Sequence, residues 1–213
     1  MQLPSGRGPH PDPGRAIAQY RRRAEHYDFE LIPFEPVRRS AIASLDLEAG
    51  ATVIDIGCGT GLSFEPLKDR IGKPGHIVGV DPSPEMLAQA RRRVQRHHWS
   101  GITLLEAGAG DAPLPGRADA ALFHFTHDVL QDEAAIAHVL AHLKPGAHVV
   151  AAGLQWGPAW SLPVNLLVLG AALYSVTCLG GLEKPWRLLT ARLREAQVRA
   201  PTLGGFYIAS GYV

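Results

Sequence analysis

The chain has 213 residues, of which 46% are apolar and 19% charged, a balance that supports one folded domain with a sizeable core and excludes a disordered or fibrous chain. A formal net charge of +1 gives no broad electrostatic drive toward nucleic acid or an anionic membrane. Two cysteines, Cys58 and Cys178, form no C-x-x-C or Cys/His zinc spacing, which points away from a metal or disulfide framework and toward a reducing, cytoplasmic setting.

Residues 1–14 are rich in Pro and Gly and lack an apolar signal core, so a flexible tail is expected before a single domain over 15–213. Ile17, Tyr20, Ala24 and Tyr27 recur at helical spacing and predict a helix over 15–28. A second helix is expected over 36–45. The pattern then changes to the β-branched run Thr52-Val53-Ile54-Asp55-Ile56, which enters the turn Gly57-Cys58-Gly59-Thr60-Gly61 and a helix over 63–71. Strands are expected over 76–80, 102–106, 118–125 and 147–153, with helices over 84–97 and 132–143 between them. Strands alternating with helices imply right-handed βαβ units and a parallel α/β sheet covered on both faces.

Residues 162–182 carry no charge and are about long enough to span a bilayer. Pro163, Asn165, Gly170, Gly180 and Gly181 favour a buried or substrate-facing helix instead. A helix over 185–195 and strands over 197–203 and 206–213, around Gly204-Gly205, close the chain as a hairpin.

The chemistry is concentrated at the first glycine turn. Its third glycine is Gly61, giving G-x-G-x-G rather than the dinucleotide spacing G-x-G-x-x-G, in which a diphosphate rests on a helix N-terminus. Asp55 precedes the turn. An acid there repels a diphosphate but suits the ammonium of S-adenosylmethionine, which has a sulfonium and no phosphate. Val78-Gly79-Val80-Asp81 ends the next strand in a carboxylate placed to accept from ribose hydroxyls. In Pro82-Ser83-Pro84-Glu85-Met86-Leu87, Ser83 reads as an N-cap with Pro84 at N1, and Met86 offers a polarizable thioether to an adenine face or to the core. Gly110-Asp111-Ala112 follows the third strand, where Asp111 can accept from the adenine amino group and its neighbours can serve the ring nitrogens.

VIDIGCGTG, VGVDPSPEML, GDAPLP and LKPGAHVVAAG together resemble the class I S-adenosylmethionine-dependent methyltransferases, in particular the branch of ubiquinone/menaquinone-type and other small-molecule enzymes. The resemblance implies a Rossmann-like, seven-stranded, mostly parallel sheet with an antiparallel C-terminal hairpin. It also implies that Gly57 and Gly59 meet the methionine part of the cofactor, Asp81 the ribose, and Asp111 the adenine edge. Pro82, Gly110 and Ala112 join this cofactor-binding set by position in the motifs. Tyr27 is similar to the family's tyrosine that closes over the methionine end. S-adenosylhomocysteine is the implied product.

The fourth strand ends in Phe123-His124-Phe125-Thr126-His127-Asp128, at the edge where this fold places the transferable methyl. His124 and His127 are the candidate catalytic residues, as general base or substrate contact, and His124 is also a candidate contact to the cofactor. The apolar insert at about 156–186, with Trp160, Leu166, Leu167, Leu169, Leu173 and Tyr174, favours a hydrophobic small-molecule or lipid acceptor. Asn165 and Tyr174 are its polar handles. No nucleic-acid partner is expected, and Arg91, Arg92, Arg93 and Arg96 read as a solvated face. Two related activities stay open. One is a phospholipid amine N-methyltransferase making peripheral membrane contact. The other is a methyltransferase-like cyclase that binds the cofactor without transferring its methyl. Gly61 and Asp55 count against a nicotinamide oxidoreductase.

Overall fold

A computed structural model of the chain describes residues 31–176 and 178–213. The expected tail, the helix over 15–28 and Tyr27 therefore lie outside the described residues. Seven strands form one sheet in the order β3-β2-β1-β4-β5-β7-β6. They are β1 Thr52–Ile56, β2 His76–Asp81, β3 Ile102–Glu106, β4 Ala118–His124, β5 Leu143–Gln155, β6 Arg194–Arg199 and β7 Gly205–Tyr212. The first five are parallel, β7 runs antiparallel beside β5, and β6 pairs antiparallel with β7. The expected architecture, parallel with a C-terminal hairpin, is what the chain adopts.

The helices are α1 Glu35–Ser44, α2 Phe64–Ile71, α3 Pro84–Arg96, α4 His127–Leu130, α5 Glu133–Ala141, α6 Leu162–Ser175 and α7 Arg187–Thr190. Alternation along β1 sends its side chains to opposite faces. Val53 joins a core with Ile42 of α1, Phe64, Leu67 and Ile71 of α2, and Leu87 of α3. Ile54 and Ile56 join the other core with Ile136 and Val139 of α5 and Leu189 of α7. Asp55 shares the face of Val53 and therefore looks toward α1, a placement that matters at the site.

Local signals set several boundaries as expected. Pro84 opens α3 behind Ser83, whose hydroxyl accepts from the Met86 N–H at 3.3 Å. Elsewhere the chain departs from expectation. The helix expected over 132–143 is α5, begun where the Asp132 side chain accepts from Ala134 N–H (2.9 Å) and Ala135 N–H (3.1 Å), and the short α4 before it was not expected. Leu143 belongs to β5, which begins four residues before the expected 147 by pairing with Ala118 ahead of an irregular step. The helix expected over 185–195 shrinks to α7, because Arg194 already pairs with Tyr212. Strand β6 ends before Pro201, whose carbonyl accepts from Gly204 N–H at 2.8 Å in the hairpin turn. A 3-10 turn, Ile32–Phe34, went unread.

The uncharged run 162–182 is not one buried helix. Helix α6 stops at Ser175 after 14 residues, and no helix among the described residues is long and apolar enough to cross a membrane. Only part of it packs inward, through Val168 and Ala172, whereas Leu162, Leu166, Leu167 and Leu173 face outward with Trp160 beside them. Asn165 is not a handle for a ligand here. It braces the start of the helix, accepting from Gly157 N–H at 2.8 Å and donating to Pro158 O at 3.0 Å.

Candidate functional site

The site lies at the carboxyl ends of β1, β2 and β4, where open α/β sheets bind ligands. A cleft of about 780 Å³ runs there, lined by Gly57, Val80 and Pro82, by the loop 107–111, and by residues of 128–135. Its size falls within the range of small-molecule sites. A second, much smaller cavity lies past the glycine turn, lined by Arg38, Gly57, Gly59, His124 and Phe125 among others. Gly57 borders both, so a ligand spanning them passes over its backbone.

The glycine turn is held open by contacts that leave no room for side chains. Gly57 has φ +64°, and a Cβ there would stand 2.3 Å from Cγ2 of Thr126. Gly61 has φ +78°, and its Cβ would meet the Phe64 ring at 2.5 Å. The third glycine thus stands where α2 packs its first aromatic residue.

Asp81 clamps this turn. One carboxylate oxygen accepts from Gly59 N–H and the other from Ser83 N–H, each at 2.9 Å. Burial pushes its pKa up to about 6 against the pull of those two donors. Each oxygen keeps a lone pair for a further donor. Asp55 is buried deeper, and burial pushes its pKa up to about 7, with Arg38 opposing and Asp81 adding to the rise. Its Oδ2 has no hydrogen-bond partner among the described residues. Cys58 is also buried, which raises its thiol well above the ordinary value and leaves it inert.

Folded Asp55 keeps its proton up to about pH 7, whereas unfolded aspartate releases it near 4. The folded chain binds the extra proton between those values, so Asp55 makes stability fall as pH rises from about 4 to 7. Burial, with Arg38 beside it, holds His124 well below the usual imidazole range, and this acts with the opposite sign below about pH 6.5. The clean comparison is therefore between variants. Asp55→Asn is expected to remove the downward slope contributed by Asp55 to the thermal midpoint of ligand-free protein between pH 4 and 7, and an unchanged profile would contradict the assignment.

The candidate residues fall into distinct places. Gly57, Pro82, Gly110 and Asp111 line the large cleft, and Gly59 and His124 the small cavity. Ala112 is buried behind the loop, where its carbonyl accepts from Nε2 of His138 at 2.9 Å. Met86 is 2% exposed and is not among the residues lining the cleft. His127 is buried outside both cavities. Its Nε2 donates to Gly180 O at 2.9 Å, tying the end of β4 to the segment after α6. Asp128 lines the large cleft from within α4.

Three contributors were missed. Arg38 is 2% exposed, pairs with Glu35 and lines the small cavity, yet in sequence it reads like its neighbour Arg39 on a helix surface. Thr126 fills the space over Gly57. Phe125 carries φ +57°, an uncommon conformation for a bulky residue.

Residues 53–146 match the methyltransferase domain family. Trans-aconitate 2-methyltransferase of Rhodopseudomonas palustris is 32% identical over 187 residues, covering 84% of this chain and 65% of that protein. Aklanonic acid methyltransferase DauC of Streptomyces sp. is 29% identical over 85 residues, 40% of this chain and 39% of its own length. The chain spans between about a third and just under two thirds of the length of such curated relatives. Among solved structures, the N-methyltransferase NodS of Bradyrhizobium japonicum, in complex with S-adenosylhomocysteine, superposes with a TM-score of 0.69 at 19% identity, over 94% of this chain and 98% of that one. Domain match and strand order agree: the chain carries a methyltransferase domain over residues 53–146 and shares its fold with the S-adenosylmethionine-dependent methyltransferases it resembles.

Proposed function

We propose that this chain binds S-adenosylmethionine along the cleft that passes Gly57 and transfers its methyl to a hydrophobic small molecule. The observation that carries the reading is the meeting at Gly57 of an open cleft and a smaller cavity, two residues after a buried carboxylate, Asp55, whose Oδ2 has no partner among the described residues. An ammonium is the donor that such an oxygen lacks, and a diphosphate would meet Asp55 and Asp81 as repulsion.

In this reading Asp55 takes the ammonium, and the backbone of Gly57 and Gly59 lines the methionine part. Arg38 supplies the charge for the amino acid carboxylate. Asp81 accepts from the ribose. Pro82, Gly110, Asp111 and Ala112 border the adenine, with Met86 packed behind them. Tyr27 covers the methionine end. When bound, S-adenosylmethionine supplies an electrophilic methyl on a sulfonium. The protein's own part is to align the acceptor, exclude water and receive a proton where the acceptor has one to lose. His124, whose Nε2 has no partner among the described residues, receives that proton. His127, engaged with Gly180, holds the wall behind it.

The outward leucines of α6 and Trp160 favour a lipid or peripheral membrane contact as the second reading. Incubating the purified protein with methyl-labelled S-adenosylmethionine and a panel of apolar alcohols, phenols, amines and phospholipid vesicles tests the transfer. A product heavier by one labelled methyl is expected. Consumption of the donor with no labelled acceptor, and an isomerised product instead, would establish the cyclase and overturn methyl transfer.

A further inference from the structure

We infer that β3, at one edge of the sheet, is a docking strand for an extended segment of another protein in which apolar and acidic residues alternate. The two edges of the sheet are built differently. Strand β6 carries Arg194, Glu195 and Arg199, breaks its register between Arg194 and Gln197, and holds Glu195 at φ +51°. Charge and irregular pairing of this kind keep foreign strands off an edge. Strand β3 has neither device. It pairs in unbroken register with β2, contains no proline, and is charged only at Glu106. Ile77 N–H donates to Gly101 O at 2.9 Å. Alternation therefore turns the N–H and C=O of Ile102 and Leu104 away from β2, where no strand among the described residues meets them.

A groove lies on each face of this edge. On the α3 side, a groove of about 270 Å³ is lined by Val94, Ile102 and Leu104, with Arg91 and Gln95. On the other side, one of about 460 Å³ is lined by Thr103 and Leu105, with His76, Arg117 and two prolines among others. Alternate residues of an added strand fall over the two grooves, so backbone bonds give affinity and the grooves give specificity. The α3 groove is mainly aliphatic and takes the apolar row. The other is polar and basic. His76 Nε2 and Thr103 Oγ1 share a hydrogen bond of 2.9 Å there, and the exposed Arg117 has no ion pair among the described residues. No acid lines either groove among the described residues, and Asp119 is already engaged by Lys144 and Thr52 N–H. Carboxylates therefore belong over Arg117. Glu106 falls on the α3 side with Ile102 and Leu104 by alternation, away from that row. A second copy pairing β3 with β3 antiparallel keeps like faces together, and so sets Arg117 on the same face as its copy with no acid between. Residues 1–30, with five arginines against four acids, supply no net negative charge either.

The test is calorimetric titration of the full chain with an acetylated, amidated heptapeptide in which valine alternates with glutamate. Saturable binding is expected, and the same peptide with lysine in place of glutamate is expected to bind at least about tenfold more weakly. Two further peptides carry N-methyl groups, one at every valine nitrogen and one at every glutamate nitrogen. Only one set of nitrogens faces β3, so one methylated peptide is expected to lose binding and the other to keep it. Arg117→Glu is expected to weaken the glutamate peptide about tenfold while leaving the thermal midpoint unchanged, since Arg117 is exposed and unpaired among the described residues. No binding of the glutamate peptide, as when a second copy or residues 1–30 already hold the edge, would overturn the inference. So would equal binding of the lysine peptide, binding of both methylated peptides as tight as the parent, or an Arg117→Glu chain that binds like the wild type.

Discussion

Gly57→Ala is expected to abolish S-adenosylhomocysteine binding and to lower the thermal midpoint by roughly 5–15 °C. Two costs add. The left-handed φ of +64° opposes any Cβ by about 1–2 kcal/mol, and forcing an atom to 2.3 Å from Thr126 Cγ2 displaces packing at about 1–3 kcal/mol. The displaced residue, Thr126, follows Phe125 and His124, so the shift is felt on both sides of the turn. The clash is with one methyl group. Thr126→Ser removes that methyl and leaves the Thr126 Cβ position, which a new Cβ would meet at an acceptable 3.7 Å. The double variant is therefore expected to recover about half of the lost midpoint, leaving the backbone strain. Thermal unfolding of the two single variants and the double variant measures this, and simple additivity of the two changes would contradict the contact.

Asp81→Ala is expected to weaken S-adenosylhomocysteine by at least about 100-fold. The carboxylate satisfies Gly59 N–H and Ser83 N–H at once. Its removal leaves two partly buried donors unpaired, at about 1–3 kcal/mol each, and takes away the acceptor for the ribose. Asp81→Asn is expected to fall between, because its amide oxygen can serve one N–H while its NH₂ faces the other as a second donor. With the carboxyl pKa pushed up to about 6, wild-type affinity is expected to fall as pH drops through that value, where protonation removes an acceptor. Calorimetry across pH 5 to 8 reads all three, and a flat profile with unaffected Asp81→Ala affinity would remove Asp81 from the site.

The sheet was legible because its signals are local. Thr52–Ile56 and Ile102–Glu106 were bounded correctly by β-branched runs ending at turns, and Ser83-Pro84 fixed the start of α3 through a cap whose hydrogen bond is present. The glycine turn was legible because its spacing reflects backbone geometry. What failed depended on distant partners. Leu143 enters β5 only because Ala118 is there to receive it, and Arg194 enters β6 only because Tyr212 lies opposite. Arg38 and Arg39 are adjacent and chemically alike, yet one is buried beside the site and the other is exposed. Nothing in the chain order distinguishes them before α1 is laid on the sheet. The leucines of α6 were read as pocket or core from their apolarity, but they face outward, since composition reports what a surface is made of and not what covers it.

The most direct test of the cofactor site is calorimetric titration of the wild-type chain with S-adenosylhomocysteine, with NAD as the control. Saturable one-site binding of the thioether and none of NAD is the expected result. Binding of NAD without the thioether would contradict it, and would make the turn at Gly57 and Gly59, with Asp81, a dinucleotide site.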